Sequence, residues 1–406
     1  MTIPSTGADL LSPEAVADPY RFFGELREHD PVHWNPTHKS WVITRYDDVA
    51  AGFLDKRLSS DRVEAIYEQK LSAEERAARQ PAYAVLADWM VFQDPPSHTR
   101  LRNLVKRAFT PRAVAALEPQ IVSVVEQVLD LPDAGEVDVV GDIAYPIPAI
   151  VIAAMLGVPP EDRDLFRAWS NQVSTLIFEG ARTAEGRRHS QDGLVALAGY
   201  LHDLLARHRR SPGDNLMSAL LDVQRDDRSL TDDEIVNTCV LLLFGGHETT
   251  TNLITNGFLA LLRNPDHARA LLEDPALVPA AVEELNRYDG PAKLVVRRAA
   301  VDFELGGRRI EAGRRVLLVV ASANRDPRRF ADPDTVDIRR ADNRHAAYGL
   351  GIHYCLGAPL ARLETQIALP RMLRRLANAA VATDELEYQP LLLTRGLERL
   401  PVRYGS

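Results

Sequence analysis

One short segment of the 406-residue chain combines a cysteine with closely spaced glycines. Residues 348–359 have the sequence YGLGIHYCLGAP, in which the thiol belongs to Cys355. This density of glycine predicts backbone turns that bulkier residues would resist. The glycines concerned are Gly349, Gly351 and Gly357. We expect a helix to begin just after Cys355, where N-terminal amides and the helix dipole favour a thiolate over a thiol.

A thiolate at Cys355 has three common uses, and the residues around it leave all three open. As a nucleophile it needs a positioned base, and His353 is poorly placed for that role. As a zinc ligand it lacks companions, since the chain has only one other cysteine, Cys239. As the axial ligand of a heme iron it would push electron density toward cleavage of an O–O bond. Cys239 lies in an apolar run without a partner motif, so we expect it in the core.

A second group of reactive residues lies in the middle of a long predicted helix. Residues 245–250 read GGHETT, which places Glu248 next to Thr249. Position 251 is threonine, so the second histidine of an HExxH zinc site is missing. Two solvated polar residues are the alternative, but the apolar run at 240–244 argues against it. The glycine pair indicates either close packing of another helix or a ligand that needs room beside the backbone.

The helix that carries GGHETT begins with a capping-box pattern, in which Thr231 precedes Glu234 by three residues. Pro265 ends it, so the prediction is a helix over 231–264, roughly 50 Å long. Apolar spacing predicts further helices over 47–54, 113–130, 193–208, 266–288 and from just after Cys355 to about 376. Strands are predicted over 40–46, 301–305 and 316–321, with a hairpin turn at Gly306-Gly307. We therefore expect a mainly α protein with a minor β region.

Composition narrows the class of protein. The chain has 48 Lys and Arg against 57 Asp and Glu, a net charge of −9, so we expect no nucleic-acid partner for the chain as a whole. Its N-terminus has neither the basic nor the apolar region of a secretory signal. The most apolar stretch, 149–158, is only half as long as the ~20 residues that span a bilayer. We expect a cytoplasmic protein without a membrane segment, folded as one domain over residues 1–406.

The pattern Gly349-x-Gly351-x-His353-x-Cys355-x-Gly357 resembles the heme-binding loop of cytochrome P450 monooxygenases of the soluble bacterial type. The resemblance implies the P450 fold, with a long central helix over heme b and Cys355 as the axial thiolate of the iron. One residue departs from the family, which usually has Phe where this chain has Tyr348. Its hydroxyl either alters the hydrogen bonding of the thiolate or points elsewhere.

The resemblance also implies roles for residues outside this loop. Glu248 would relay protons from solvent, and Thr249 would hold the oxygen that receives them. The heme-binding residues implied are His98, Arg102, Gly246, Arg297, Tyr348, Gly349, His353, Cys355 and Gly357. Among these, His98, Arg102, Arg297 and His353 would contact the propionates, although Arg298 is an alternative to Arg297. Glu284, Arg287 and Arg340 would form a buried structural cluster behind the loop.

The partners that the resemblance implies are O2, a lipophilic small molecule and a ferredoxin with its reductase. Two basic runs are candidates for a ferredoxin docking face. They contain Arg100, Arg102, Lys106, Arg107 and Arg112, and then Arg362, Arg371, Arg374 and Arg375. Family position suggests that the substrate pocket is lined by 61–92, Ser174–Phe178, Leu242–Gly246, Leu294–Val296 and Leu392–Thr394. Residues 179–190 would connect a mobile lid.

The expected reaction is insertion of one oxygen atom of O2 into a C–H or C=C bond of a secondary metabolite. Within the heme-thiolate class, an oxidative coupling enzyme or a peroxygenase is the alternative. From a different class, a non-catalytic heme sensor is possible on the residues alone.

Overall fold

The computed structural model describes residues 9–61, 63, 72–162, 165, 168–169, 172–173 and 184–405. In these residues the helices, in chain order, are α1 Pro13–Ala17, α2 Pro19–His29, α3 Tyr46–Leu54, α4 Ala73–Ala87, α5 Ser97–Ala108, α6 Pro111–Ala115, α7 Glu118–Val128, α8 Pro146–Leu156, α9 Ala184–Arg210, α10 Leu216–Asp226, α11 Asp232–Leu262, α12 Pro265–Glu273, α13 Val278–Asp289, α14 Val320–Ala323 and α15 Ala358–Arg375. The strands are β1 Val32–Asn35, β2 Ser40–Ile43, β3 Leu58–Ser59, β4 Gly135–Asp138, β5 Val295–Ala299, β6 Phe303–Leu305, β7 Arg308–Ile310, β8 Arg315–Leu318, β9 Ala380–Val381 and β10 Pro401–Tyr404. The expectation of a mainly α fold with a minor β region is confirmed.

The long helix α11 follows its predicted course closely. Thr231 caps it, because its hydroxyl accepts from the Glu234 amide at 3.1 Å while the Glu234 carboxylate accepts from the Thr231 amide at 3.0 Å. This reciprocal capping box satisfies two amides at the start of the helix. The helix continues through Gly245 and Gly246 without a break. Its central glycines therefore do not interrupt the backbone hydrogen bonding.

Proline divides two of the predicted helices. The predicted helix over 266–288 is two helices, α12 and α13, because Pro275 begins the 3-10 turn Pro275–Leu277 between them. The predicted helix over 113–130 is likewise divided into α6 and α7, with Pro119 at the second position of α7. Proline removes a backbone donor, so a continuous apolar spacing hides a real boundary in both cases.

The described chain forms two compact units. The first comprises the described residues within Met1–Ser59, Ile121–Ile147 and Thr249–Ser406, and the second those within Ser60–Gln120 and Pro148–Glu248. The single domain expected over 1–406 stays a prediction.

The first unit contains the main sheet, with strand order β1-β2-β8-β5-β3. β2 and β8 run parallel and the other pairs are antiparallel. Val296 lies opposite Leu317 and Val295 opposite Leu318, so alternate residues of β5 face opposite sides of the sheet. Two apolar clusters cover the two sides, and they separate Val295 from Val296.

The first unit also contains smaller β elements. β4, β10 and β9 form a three-stranded sheet in that order. β6 and β7 form the predicted hairpin, whose turn residues Gly306 and Gly307 adopt φ of 56° and 73°. This left-handed pair suits a two-residue turn between antiparallel strands. The predicted strand over 316–321 is shorter, because β8 ends at Leu318 and α14 begins at Val320.

The second unit is helical. α4 packs against α9, and α5 packs against α10. Trp89 lies at the centre of an aromatic stack, with ring centroids 5.8 Å from Phe92 and 5.3 Å from Phe244. Cys239 is buried in α11, which confirms the expectation that it belongs to the core. Burial raises the pKa of its thiol to about 12.

One helical stretch of the described chain, Val139–Leu156, comprises the π-helix Val139–Ala144 and α8 and is long and apolar enough to cross a membrane. Its mean hydropathy over 18 residues is 2.0, and 56% of the stretch is buried inside the protein. A core helix of a soluble protein passes the same test of length and composition. A single stretch of this kind is therefore weak evidence for a membrane span.

Candidate functional site

The cysteine loop leads from the short helical turn Gly351–His353 into α15. Gly349 and Gly351 adopt φ of 70° and 69°, a left-handed conformation that side chains disfavour. Gly357 differs from them, because its φ is −79° and it caps α15. The Cys355 amide donates to the Tyr348 carbonyl oxygen at 2.9 Å, which closes the loop. Cys355 is exposed and precedes the first residue of α15, Ala358.

Helix α3 packs against the cysteine loop, a contact that the sequence did not indicate. A Cβ added to Gly351 would lie 2.8 Å from the Leu54 side chain, and one added to Gly349 would lie 3.5 Å from the Phe53 ring. Glycine at 351 is thus required both for its φ and for space. Phe53 and Leu54 end a short helix without a recognisable motif, so composition alone gives no signal for this role.

Arg297 occupies the side of β5 that faces this loop. Its side chain is buried, and its guanidinium lies 5.8 Å from the centre of the Phe53 ring. Val295, on the same side of the strand by alternation, packs into one apolar cluster with Leu350 of the loop. Arg298 points to the other side of the strand. The alternation therefore favours Arg297 over Arg298 as a ligand for a group held by the cysteine loop.

Tyr348 packs against a cluster of charged groups beside the loop. The Arg362 guanidinium lies 4.3 Å from the centre of its ring. Arg362 pairs with Glu283 at 2.6 Å, and His345 lies 3.3 Å from the same carboxylate. Burial alone would raise the pKa of Glu283, but hydrogen bonds from Arg362 and His345 outweigh it and hold the pKa at about 2.

The Tyr348 hydroxyl forms no hydrogen bond with the thiol of Cys355. Its oxygen is buried and has no hydrogen-bond partner in the described part of the chain. Burial, followed by the negative charge of Glu283, raises the pKa of Tyr348 well above its usual value. Of the two alternatives expected for this hydroxyl, a hydrogen bond to the thiol is therefore not formed.

Glu284, Arg287 and Arg340 meet in one buried cluster. The side chains of Glu284 and Arg287 are both 0% exposed. The Glu284 carboxylate accepts two hydrogen bonds from Arg287, both at 2.8 Å, and another from the Nε of Arg340 at 3.1 Å. It also accepts from the Asp337 amide at 2.8 Å. Arg287 further donates to carbonyl oxygens of Asn324, Pro333 and Thr335, which fixes the chain that precedes the cysteine loop.

His98 and Arg102 lie four residues apart on α5, within the second unit. Residues at this spacing share one face of a helix. His98 is only 1% exposed, whereas Arg102 is half-buried. The predicted pair of cationic side chains is thus on one helical face, with its histidine turned into the protein.

The sequence offered two explanations for the glycine pair of α11, close packing of another helix or room for a ligand. The structure shows that the two glycines differ in their surroundings. A Cβ on Gly246 would lie 3.4 Å from Ile152 of α8, so this glycine allows close helix packing. A Cβ on Gly245 would have no described atom within 4 Å. His247 is buried, and its Nδ1 donates to the Leu243 carbonyl oxygen at 3.1 Å. Glu248 and Thr249 are half-buried neighbours on the same helix.

Glu364 is a buried acid that sequence reasoning missed. It lies on α15 and is 1% exposed, and its carboxyl group hydrogen-bonds the hydroxyl of Thr250, the residue after Thr249. Burial raises its pKa well above the usual value, an effect that the Thr250 hydrogen bond only partly offsets. The Glu364 carboxyl group therefore joins the helix after Cys355 to α11. Its spacing of nine residues from the cysteine is the only signal that the sequence carried.

Several cations of the two basic runs are already engaged within the protein. Arg100 pairs with Glu234, and Arg107 pairs with Asp226 at 3.0 Å. Arg362 pairs with Glu283, while Arg371 and Arg375 donate to backbone carbonyl oxygens. Arg102 is half-buried. The exposed cations of the two runs that form no ion pair with the described residues are therefore Lys106, Arg112 and Arg374.

The predicted pocket-lining segments lie in different places: some fall outside the described residues, some line a cavity and some belong to the core. Ser174–Phe178, part of 61–92 and residues 179–183 of the expected lid lie outside the described residues. Within 61–92, Val63, Tyr83 and Phe92 help to line a cavity of about 500 Å³ in the second unit. Leu294 and Val296 pack into the apolar core with Leu392 and Leu393, so the structure turns them away from the side of Arg297. Residues 292–294 bond to 393–394 along the backbone.

No group of three or more His, Cys, Asp or Glu side chains in the described chain is arranged to hold a metal ion. This leaves the nucleophile and heme-ligand uses of Cys355. Its exposed position on a glycine loop, with the buried cation Arg297 on the adjacent strand, fits an anionic macrocycle held by its metal and its carboxylates.

The chain is similar to known heme-thiolate proteins. The sequence model described as Cytochrome P450 matches residues 188–387. A vitamin D(3) 25-hydroxylase of Pseudonocardia autotrophica is 42% identical, over 100% of this chain and 99% of its own. The 6-deoxyerythronolide B hydroxylase of Saccharopolyspora erythraea is 37% identical, over 98% and 99%. The solved structure of P450BioI, in complex with an acyl carrier protein ligated to hexadec-9Z-enoic acid, matches with a TM-score of 0.88 and 36% identity, over 96% and 100%.

Proposed function

Because the chain belongs to the cytochrome P450 family of heme-thiolate monooxygenases, we propose that it hydroxylates or epoxidises a lipophilic secondary metabolite. Members of the family use O2, lipophilic substrates and a redox partner. Two relatives support the substrate class, because they are named for hydroxylation of vitamin D3 and of 6-deoxyerythronolide B. The observation that carries the proposal is the glycine loop that presents an exposed Cys355, with Phe53 lying between Gly349 of this loop and the buried Arg297.

The described residues fit heme b. We assign Cys355 as the axial thiolate, since its exposed thiol is presented by two left-handed glycines. A heme also carries two propionates, which need cationic or hydrogen-bonding partners. His98, Arg102, Arg297 and His353 are our assignments for these. When bound, the heme activates O2 and carries the insertion of one oxygen atom into the substrate.

The residues of α11 supply protons in this proposal. Glu248 is half-buried, so its carboxylate can exchange protons with solvent and pass them inward. The Thr249 hydroxyl, one residue further, holds the water that delivers the proton. The side chain of Thr250 is held by a hydrogen bond to the carboxyl group of Glu364, which stabilises the backbone on which Thr249 is placed.

Substitution of Thr249 tests the proton relay. We expect Thr249→Ala to keep its heme and its spectrum but to release most reducing equivalents as hydrogen peroxide instead of product. The ratio of product formed to reduced nicotinamide consumed measures this, with a surrogate reductase and Thr255→Ala as a matched control on the same helix. Unchanged coupling would remove Thr249 from the mechanism. Equal turnover of wild type with added peroxide would instead favour the peroxygenase alternative.

We propose further that a ferredoxin delivers the electrons in the cytoplasm, to one catalytic domain that spans the chain. Lys106 and Arg112 are exposed cations of the second unit without an ion pair among the described residues. An acidic iron–sulfur protein would be attracted to such charges. Arg107 is a less informative probe, because its reversal would also break the ion pair with Asp226.

Charge reversal at Lys106 tests this docking surface. We expect Lys106→Glu to slow ferredoxin-dependent reduction of the heme by about 10-fold at low salt, with the difference shrinking as salt rises. Peroxide-driven turnover should not change. Lys39→Glu, on the exposed turn between β1 and β2, is the matched control. Equal losses in both assays, or equal losses in both variants, would refute docking at Lys106.

A further inference from the structure

Lys293 is a buried amine that the reaction described above does not use. It lies between α13 and β5 and is 3% exposed. Its Nζ donates to the carbonyl oxygen of Leu391, and none of the described carboxylates pairs with it. An ammonium group has three donors, so one carbonyl leaves capacity for a further acceptor. Burial of a cation without a counter-ion is unfavourable, and an anion placed beside it would be strongly stabilised.

The alternation of side chains places Lys293 on the same side of the chain as Val295 and Arg297, which lie near the cysteine loop. Residues 293, 295 and 297 fall on one side of an extended chain, by the alternation that β5 shows. Val295 shares an apolar cluster with Leu350 of the loop, and Arg297 lies over Phe53, which packs against Gly349. Leu294 and Val296 face the opposite side and belong to the core. Lys293 therefore extends the side of the strand on which the heme site is proposed.

The charged groups around Lys293 do not neutralise it. The charge that acts on Lys293 is that of Arg395, which is itself a cation and pairs with Asp289 at 2.8 Å. Tyr20 donates to the same oxygen of Asp289, Oδ1, and the Arg395 guanidinium lies 3.8 Å from the centre of the Tyr388 ring. Asp289 is thus engaged by Arg395 and Tyr20, and no ion pair joins it to Lys293 among the described residues. Burial, and then the charge of Arg395, lower the pKa of Lys293 to about 8.

We propose that Lys293 is a specificity-determining residue that binds the carboxylate of a lipophilic acid, so that the substrate class includes carboxylic acids. The inference rests on the proposed function, since it requires that this side of β5 borders the substrate. The Nζ would donate to a carboxylate oxygen while keeping its bond to Leu391. Because the group is charged only below its pKa, binding of the acid should be strongest between the pKa of the acid and about pH 8, and should weaken above it.

A matched pair of iron-binding probes tests the inference without a known substrate or any electron transfer. The probes are 12-(imidazol-1-yl)dodecanoic acid and 1-dodecylimidazole, which differ only in the carboxylate. Titration of the purified holoenzyme, followed by the Soret shift, gives two dissociation constants at each pH. We expect wild type at pH 7 to bind the acid about 10-fold more tightly than the alkyl probe. The ratio should fall toward one between pH 7 and pH 9.5.

Lys293→Met supplies the decisive comparison, with Lys39→Met as the control on an exposed turn. We expect the first variant to lose the preference for the acid and the second to keep it. No preference in wild type, or an equal preference in Lys293→Met, would overturn the inference. If Lys293→Met does not fold, the pH dependence of the wild-type ratio decides alone. Failure of the ferredoxin or coupling tests would leave this binding result unaffected, so the two proposals fail separately.

Discussion

The buried Glu284 cluster makes the most quantitative prediction. In Glu284→Gln the amide keeps one acceptor oxygen, but its NH2 group would face the guanidinium N–H groups of Arg287 and Arg340. Both Glu284 and Arg287 are fully buried, so Arg287 and Arg340 would lose the only carboxylate with which they pair among the described residues. Removing one partner of such a buried pair costs about 3–5 kcal/mol. We expect this loss in the free energy of unfolding.

A matched exposed pair provides the control for this substitution. Asp266 and Arg269 have the same i,i+3 spacing on α12 at 3.1 Å, but their side chains are 89% and 66% exposed. Screening by solvent should keep the effect of Asp266→Asn below ~1 kcal/mol. Chemical unfolding of both holoproteins, followed by circular dichroism, measures the difference. If Glu284→Gln and Asp266→Asn unfolded within ~1 kcal/mol of each other, the cluster would not hold the chain before the cysteine loop.

Three further predictions follow from the loop and its supports. Tyr348→Phe should raise the free energy of unfolding by about 1 kcal/mol, because it removes a buried hydroxyl without a partner; a loss measured in urea would show that the hydroxyl is bonded. Gly351→Ala should cost more stability than Gly313→Ala, since both have positive φ but only Gly351 also meets Leu54; equal thermal shifts would contradict the packing. Glu364→Gln should remove an infrared band of a protonated carboxylic acid that persists in wild type above pH 4.5. Because the folded pKa of Glu364 is raised, wild type should lose stability as pH rises above the unfolded value of about 4.5, and Glu364→Gln should lack this slope.

The sequence predicted best those features that local chemistry determines. The capping box at Thr231, the hairpin at Gly306-Gly307 and the left-handed glycines of the cysteine loop all follow from short-range rules on φ and on hydrogen bonding. The Glu284 carboxylate also accepts hydrogen bonds from Arg287 and Arg340, the two residues that the resemblance grouped with it. Their structural role behind the cysteine loop stays a prediction.

Features that depend on contacts distant in sequence were missed or misjudged. Phe53 and Leu54 support the cysteine loop from some 300 residues away, and nothing in their own segment indicates it. The same holds for the ion pairs of Arg100 and Arg107, which make those cations unsuitable as free docking charges. Leu294 was expected in the pocket, but strand alternation turns it into the core, and only the register with β8 determines that direction.

The central claim is that the sulfur of Cys355 binds the heme iron. The most direct measurement is the absorption spectrum of the reduced protein under carbon monoxide, for wild type, Cys355→Ala and Cys239→Ala. Thiolate ligation predicts a Soret band near ~450 nm in wild type and in Cys239→Ala, and its complete loss in Cys355→Ala. A band near ~450 nm that survived in Cys355→Ala would contradict the account.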